Sequence, residues 1–88
     1  MYNEIFQSNF DDIYVERNLD PLSVRSGIIK QIVDERKRQK ITQKELADRT
    51  GLKQSNISRL ETGKSNPSLD FLSKIAAGLG RELQVNLK

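Results

Sequence analysis

Apolar residues recur every three or four positions along most of this chain, which is the spacing of one buried face of an α-helix. The pattern predicts helices over about residues 22–38, 42–50, 53–61 and 68–79. The apolar residues that form the pattern are Ile28, Ile29, Ile32, Val33, Leu46, Ala47, Leu52, Ile57, Leu60, Leu69, Leu72, Ile75, Ala76 and Leu79. An all-α fold of four to five helices is expected, the fifth being a helical arm at the N-terminus.

Residues between these segments indicate where the helices begin and end. Thr42, followed three residues later by Glu45, predicts a capping box at the start of the second helix. Gly51 suits the left-handed conformation that ends this helix. The fourth helix is expected to be capped by Ser68, or by Asn66 with the following proline at the first helical position. Between the second helix, which Gly51 ends, and the third helix, only a short turn is expected.

The last eight residues follow a different period. Leu83, Val85 and Leu87 alternate with polar residues, which predicts a short β-strand over residues 81–88. A single strand has no partner for its backbone hydrogen bonds. It therefore has to pair with a symmetry mate, with the N-terminal arm or with another protein, and we favour a partner in another molecule.

The first twenty residues form an acidic arm that precedes the helical domain of residues 21–80. Its apolar residues have near-helical spacing, and the candidate partner contacts among them are Phe6, Phe10, Ile13 and Tyr14. Such an arm is expected to lie on a surface of its own domain or of another protein. Pro21 marks the boundary, because the residue before a proline disfavours helical angles.

The chain has 88 residues, which is enough for one small domain. Its composition excludes several kinds of function. With 0 Cys and 0 His, disulfides, zinc fingers and imidazole catalysis are excluded, and nothing indicates a metal or a cofactor. No apolar stretch reaches the roughly 20 residues of a membrane span, and the N-terminus lacks the order of a signal peptide. A cytoplasmic protein that is not an enzyme is expected.

Charge is distributed unevenly along the chain. Residues 1–20 hold five acidic residues and one basic residue, a net charge of −4, whereas residues 21–88 hold fourteen basic and seven acidic residues, a net charge of +7. Two ordinarily solvated surfaces would account for this difference. A basic body that binds the phosphate backbone of DNA, with an acidic arm that avoids it, is the second interpretation.

The third predicted helix offers polar side chains from its first turns. Gln54, Ser55, Asn56 and Arg59 are hydrogen-bonding residues with no evident use in a core or in catalysis. A helix that presents such groups near its N-terminus is suited to reading base edges in the major groove of double-stranded DNA. Taken one at a time, each would be interpreted as a solvated surface residue.

Residues 42–64 resemble the helix-turn-helix of Cro/CI-type (Xre-family) proteins, which have a lambda-repressor-like fold. The matching residues are Thr42, Gln43, Glu45, Leu46, Ala47, Gly51, Gln54, Ser55, Ile57, Ser58, Leu60, Glu61 and Gly63, and the resemblance extends from Arg36 to about Leu79. It implies that the third helix lies in the major groove, with Arg59 on a guanine and Gln54 on an adenine. The implied phosphate contacts are Thr42, Gln43, Thr62 and Lys64.

The resemblance also assigns three charged residues. Arg36 and Glu61 match positions that pair with each other inside the domain, so their implied role is structural. Lys53 departs from the family, which usually has a capping Ser or Thr at this position. We expect Lys53 to contact the DNA backbone, the alternative being no contact.

The order of fourth helix and closing strand over residues 66–88 is similar to that of HigA-type antitoxins of type II toxin–antitoxin systems. This resemblance implies a homodimer that represses its own operon at a palindromic operator and neutralises a RelE/HigB-like toxin. Leu83, Val85 and Leu87 would then contact the toxin together with the arm. Alternatively, arm and strand only build the homodimer, the protein is a stand-alone phage-type regulator, or it is a protein-interaction module without DNA binding.

Overall fold

The computed structural model describes residues 21–88, which form four α-helices. Helix α1 spans Pro21–Arg38, α2 spans Gln43–Thr50, α3 spans Gln54–Glu61 and α4 spans Leu69–Gly78. The all-α prediction is confirmed for this part of the chain. The predicted arm over residues 1–20, with Phe6, Phe10, Ile13 and Tyr14, lies outside the described residues.

Side-chain caps begin two of the helices. The Thr42 hydroxyl accepts a hydrogen bond from the backbone N–H of Glu45 at 3.0 Å, and the Ser68 hydroxyl accepts one from the N–H three residues later, also at 3.0 Å. Ser68 rather than Asn66 therefore caps α4. Only half of the predicted capping box forms at α2, because the Glu45 carboxylate accepts from Arg49, one turn further along, at 3.0 Å.

The core lies where the four helices meet. Helix α2 packs against both α3 and α4, and α1 packs against α3. Four large side chains are fully buried, namely Leu46 of α2, Ile57 and Leu60 of α3 and Ile75 of α4. This shared core holds α2 and α3 in a fixed relation. Among the described residues, no helix combines the length and the apolar character that crossing a membrane requires.

Residues 51–53 make the tight turn between α2 and α3. Gly51 has a φ of 74°, and its N–H donates to the carbonyl of Ala47 at 2.8 Å. Glycine adopts this left-handed conformation without a steric penalty. Leu52 is half-buried against the core. The turn therefore starts α3 immediately after α2 ends, as the sequence predicted.

The prediction of a β-strand over residues 81–88 is wrong for the described chain. This segment has no regular secondary structure, because residues 21–88 contain no second extended segment that would share backbone hydrogen bonds with it. Leu83 is half-buried and packs on the core, whereas Val85 and Leu87 are 65% and 97% exposed. The alternation therefore reflects one anchoring leucine followed by an exposed tail.

Candidate nucleic-acid interface

Helix α3 has one buried face and one exposed face. Ile57 and Leu60 are fully buried. The residues expected to read bases, Gln54, Ser55, Asn56 and Arg59, are all exposed. Helical spacing places residues 55 and 59 opposite the core and residues 54 and 56 on the two flanks of this exposed face, three residues before Ile57 and four before Leu60. The four residues therefore share one exposed stripe of α3, with Ser55 and Arg59 near its centre and Gln54 and Asn56 at its two edges.

Ser58 belongs to the same stripe and was missed as a candidate. It follows Gln54 by four residues and precedes Arg59, and it is half-buried. Residues four positions apart lie on one face of a helix, so this spacing was the signal that could have identified Ser58.

The N-terminus of α3 has no side-chain cap. Lys53 occupies the cap position with extended backbone angles, and its side chain makes no capping hydrogen bond. Its carbonyl accepts from the N–H groups of Asn56 and Ile57 at 3.0 and 3.2 Å. The positive end of the helix dipole is therefore next to an exposed lysine, an arrangement that an anion would stabilise.

The C-terminus of α3 carries a second group of polar residues. Arg59 Nη2 lies 3.4 Å from the carbonyl oxygen of Lys64, and the Lys64 N–H donates to the carbonyl of Arg59 at 3.0 Å. The Thr62 hydroxyl shares its single proton between the carbonyls of Ser58 and Arg59, whose oxygens lie 3.1 and 3.2 Å away. Arg59, Thr62 and Lys64 are thus close together and exposed, at the opposite end of α3 from Lys53.

The two candidate phosphate contacts on α2 differ in their surroundings. Thr42 is exposed, and its hydroxyl oxygen accepts the capping bond, so its proton remains for another acceptor. Gln43 is half-buried, and its Nε2 donates to Glu61 Oε1 at 2.9 Å. Gln43 is therefore joined to the end of α3, a contact that the sequence did not predict.

A bidentate ion pair joins α1 to α3. It is formed by Arg36 and Glu61, the two residues that the family resemblance pairs. Arg36 Nε donates to Glu61 Oε2 at 2.7 Å, and Arg36 Nη2 donates to Oε1 at 2.9 Å. The third guanidinium nitrogen of Arg36, Nη1, donates to the carbonyl of Ile41 at 2.8 Å. The Arg36 and Glu61 side chains are only 12% and 7% exposed. The pair therefore ties α1 to the last residue of α3.

Hydrogen bonds determine the ionisation of this pair. Burial alone would raise the pKa of Glu61, but hydrogen bonds from Arg36 and Gln43 outweigh it and lower that pKa. The hydrogen bond to Glu61 raises the pKa of Arg36. Because Glu61 is the acidic residue of α3 and its charge is compensated by Arg36, the exposed stripe of α3 carries the positive charge of Arg59.

Comparisons with known proteins agree with this geometry. Residues 32–86 match the HTH_3 helix-turn-helix family. An uncharacterised HTH-type transcriptional regulator of Haemophilus influenzae is 34% identical over 84 residues, which cover 96% of this chain and 82% of that protein. Another, of Methanothermobacter thermautotrophicus, is 45% identical over 51 residues, or 58% of this chain and 74% of that protein. A third, of Sinorhizobium fredii, is 41% identical over 56 residues, or 64% of this chain and 29% of that protein.

No solved structure matches the chain significantly. The family match covers more than half of the chain and includes the whole of α2, α3 and α4. The similarity to the Haemophilus protein extends over nearly the full length of the chain. The chain belongs to the HTH_3 family of helix-turn-helix proteins.

Proposed function

We propose that this protein is a sequence-specific DNA-binding transcriptional regulator whose helix α3 enters the major groove. The proposal depends above all on one observation: α3 buries Ile57 and Leu60 completely and exposes a stripe of hydrogen-bonding residues. Each of the three relatives described above is named an HTH-type transcriptional regulator, which supports the same role. The net charge of +7 on residues 21–88 favours approach to DNA.

In this proposal Arg59 and Gln54 read the bases. An arginine donates two parallel hydrogen bonds to the N7 and O6 of guanine, and a glutamine brackets the N6 and N7 of adenine. Arg59 has one long contact, 3.4 Å to the Lys64 carbonyl, so most of its five N–H donors remain for DNA. Ser55 on the stripe and Asn56 at its edge contact neighbouring bases.

Contacts to phosphates fix the register of the protein on the duplex. The proposed phosphate contacts are Lys53 before α3, Thr62 and Lys64 after it, and the cap and first residue of α2, Thr42 and Gln43. In the free protein the Thr62 hydroxyl donates to backbone carbonyls, so its contact with a phosphate needs a rotation of that hydroxyl.

Selection of bound sequences from a pool of random DNA duplexes tests the proposal. The wild-type protein should enrich one motif, and the logarithm of its affinity should fall linearly with the logarithm of the salt concentration. Arg59→Lys keeps the charge and removes the planar guanidinium with its two parallel N–H donors. This variant should therefore bind DNA about tenfold more weakly and accept other bases at one position of the motif. Arg81→Lys, a matched change at an exposed residue after α4, should bind like wild type. A wild-type protein that enriches no motif would reject the proposal, and it would favour a module that binds only proteins.

We propose further that the regulator binds a palindrome as a homodimer. A two-fold dimer places its two recognition helices about 34 Å apart, which is one turn of DNA. Two copies of the motif in opposite orientation, roughly ten base pairs apart, are therefore expected. Sedimentation of the protein alone and on the selected duplex measures the number of chains, and a single chain on a motif without symmetry would contradict the dimer.

The protein partner that we propose is a RelE/HigB-like toxin. The tail forms no strand in the described chain, so the support comes from the sequence resemblance of residues 66–88 to HigA-type antitoxins and from the exposed apolar side chains of Val85 and Leu87. Cells that express the product of the neighbouring gene alone should stop growing, and co-expression of this protein should restore their growth and yield a complex of the two proteins. Deletion of residues 84–88 should weaken that complex. A neighbouring product that is neither toxic nor bound would favour the stand-alone regulator.

A further inference from the structure

Gln43, the first residue of α2, is held by the last residue of α3. Its Nε2 lies 2.9 Å from Oε1 of Glu61, 18 residues further along the chain. The Gln43 side chain is half-buried, whereas its neighbours Thr42 and Lys44 are exposed. The amide of Gln43 is therefore fixed against a carboxylate instead of rotating freely in solvent.

The carboxylate that holds Gln43 is itself fixed. Glu61 accepts two hydrogen bonds from Arg36, at 2.7 and 2.9 Å, and Arg36 donates a further one to the carbonyl of Ile41 at 2.8 Å. Both charged side chains are nearly buried, at 12% exposed for Arg36 and 7% for Glu61. The network joins α1, the turn before α2, the start of α2 and the end of α3. The Gln43 amide is thus anchored to the rigid part of the domain.

We propose that Glu61 is a positioning residue for Gln43, which it holds as an uncharged donor to a DNA phosphate. A primary amide has two N–H groups in one plane, so a bond from one of them to Glu61 also fixes the direction of the other. The second N–H of Gln43 is directed away from Glu61, at the N-terminus of α2, where the helix dipole favours a phosphate oxygen. This inference rests on the proposed DNA-binding function. It adds that the ion pair inside the domain also sets a contact outside it.

An uncharged donor has a distinct experimental signature. A lysine that binds a phosphate releases counterions from the DNA, so its removal makes the salt dependence of binding less steep. Gln43 carries no charge and releases no counterion. Loss of its donor should therefore lower the affinity by the same factor at every salt concentration and leave the salt slope unchanged.

The first test replaces Gln43 with methionine, which is close in shape and donates no hydrogen bond. On a duplex selected by the wild-type protein, and on a scrambled duplex of the same composition, Gln43→Met should bind about tenfold more weakly with an unchanged salt slope. Gln31→Met, a matched change at an exposed residue of α1, should bind like wild type. Wild-type affinity of Gln43→Met, corrected for its folded fraction by circular dichroism, would overturn the inference. Failure of the wild-type protein to select any duplex would reject the proposed function instead.

The second test asks whether Glu61 acts through Gln43. Glu61→Gln is made in the wild-type protein and in Gln43→Met, and binding is measured at a temperature at which all four proteins are folded. Glu61→Gln should weaken binding in the wild-type background and have little further effect in Gln43→Met. Additive losses would overturn the positioning role.

A third measurement needs no variant that perturbs the ion pair. Nuclear magnetic resonance relaxation of the Gln43 side-chain amide in the wild-type protein should show a group that is rigid on the nanosecond timescale, in contrast to the exposed Gln31. A Gln43 amide as mobile as that of Gln31 would overturn the inference, even if Glu61→Gln does not fold.

Discussion

Among single residues, Glu61 connects the stability of the domain to its proposed interface. Its carboxylate accepts three hydrogen bonds, two from Arg36 and one from Gln43. Removal of this carboxylate leaves the guanidinium of Arg36 nearly buried without its counterion. Breaking a buried pair in this way costs roughly 3–5 kcal/mol, because the remaining charge is neither solvated nor compensated.

We therefore expect Glu61→Ala to lose a large part of the stability of the domain, since small domains are stabilised by only about 5–15 kcal/mol in total. Urea and thermal denaturation followed by circular dichroism measure this loss. Glu82→Ala, at an exposed glutamate in the tail, is the control and should unfold like wild type. A melting temperature of Glu61→Ala within about a degree of wild type would contradict the structural role of the pair.

Lys40 has an unusual backbone conformation for a lysine, with a φ of 59°. Its N–H and that of Ile41 donate back to carbonyls of α1 at 3.0 and 3.2 Å, the pair of bonds that closes a helix in a Schellman motif. The ends of α3 and α4 have the same pair of bonds, with Gly63 and Gly80 in the left-handed position. Lys40 thus occupies a position where this chain otherwise has glycine. Because no glycine follows α1, the sequence did not indicate a Schellman motif there.

Lys40→Gly should stabilise the protein slightly. The left-handed conformation costs a residue with a side chain about 1–2 kcal/mol, and the greater freedom of glycine in the unfolded chain offsets about 0.5–1 kcal/mol of the gain. Denaturation should therefore show an increase in the free energy of unfolding of roughly 0.5–1 kcal/mol. Lys40→Ala keeps the strain and should show no increase, so it serves as the control. A decrease for Lys40→Gly would show that the lysine side chain stabilises the fold.

At the scale of whole elements, all four described helices were predictable because their signals are local. Apolar residues at helical spacing, the Thr42 and Ser68 caps and the glycine turn each act within a few residues of chain. The strand at residues 81–88 was predicted wrongly, because a strand depends on a partner that its own sequence does not specify. The contact between Gln43 and Glu61 was missed for the same reason, since it joins residues 18 positions apart.

The exposed stripe of α3 was predictable from the period of the helix. The spacing that turns Ile57 and Leu60 into the core must turn Gln54, Ser55 and Arg59 out of it. That period gives no information on how a side chain is anchored. The contact of Arg59 with a backbone carbonyl became visible only with the packed helices.

The start of α3 lacks a side-chain cap and has a positive charge, and the effects of these two properties can be measured separately. Lys53→Ser introduces a capping hydroxyl and removes a charge that opposes the helix dipole, which should raise the free energy of unfolding by about 1 kcal/mol. If Lys53 contacts a phosphate, the same change should weaken binding to all DNA sequences alike and reduce the salt slope by about 1. Denaturation and a salt titration of binding measure the two effects. A more stable protein with an unchanged salt slope would show that Lys53 does not touch the DNA.

At the scale of the whole molecule, the effect of acid on folding comes from carboxylates. The chain has 0 His, so no side chain has an ordinary pKa near neutrality, and stability should be level between about pH 6 and 8. At Glu35, hydrogen bonds from Arg38 and Gln39 lower the pKa from 4.5 to about 2. At Glu61, hydrogen bonds outweigh the effect of burial, which would raise the pKa, and lower it as well.

A carboxylate whose pKa is lowered in the folded state binds fewer protons there than in the unfolded chain. It stabilises the fold at pH values above its ordinary pKa, and this contribution is lost as the pH falls through the folded-state value. For Glu35 the loss begins near pH 4.5 and is complete below about pH 2. We therefore expect the free energy of unfolding, measured in urea, to fall as the pH is lowered across this range. Glu35→Gln should have a shallower fall, because its amide does not titrate. A direct titration of the Glu35 carboxyl carbon by nuclear magnetic resonance checks the cause, and a pKa near 4.5 would show that the bonds from Arg38 and Gln39 do not persist in solution.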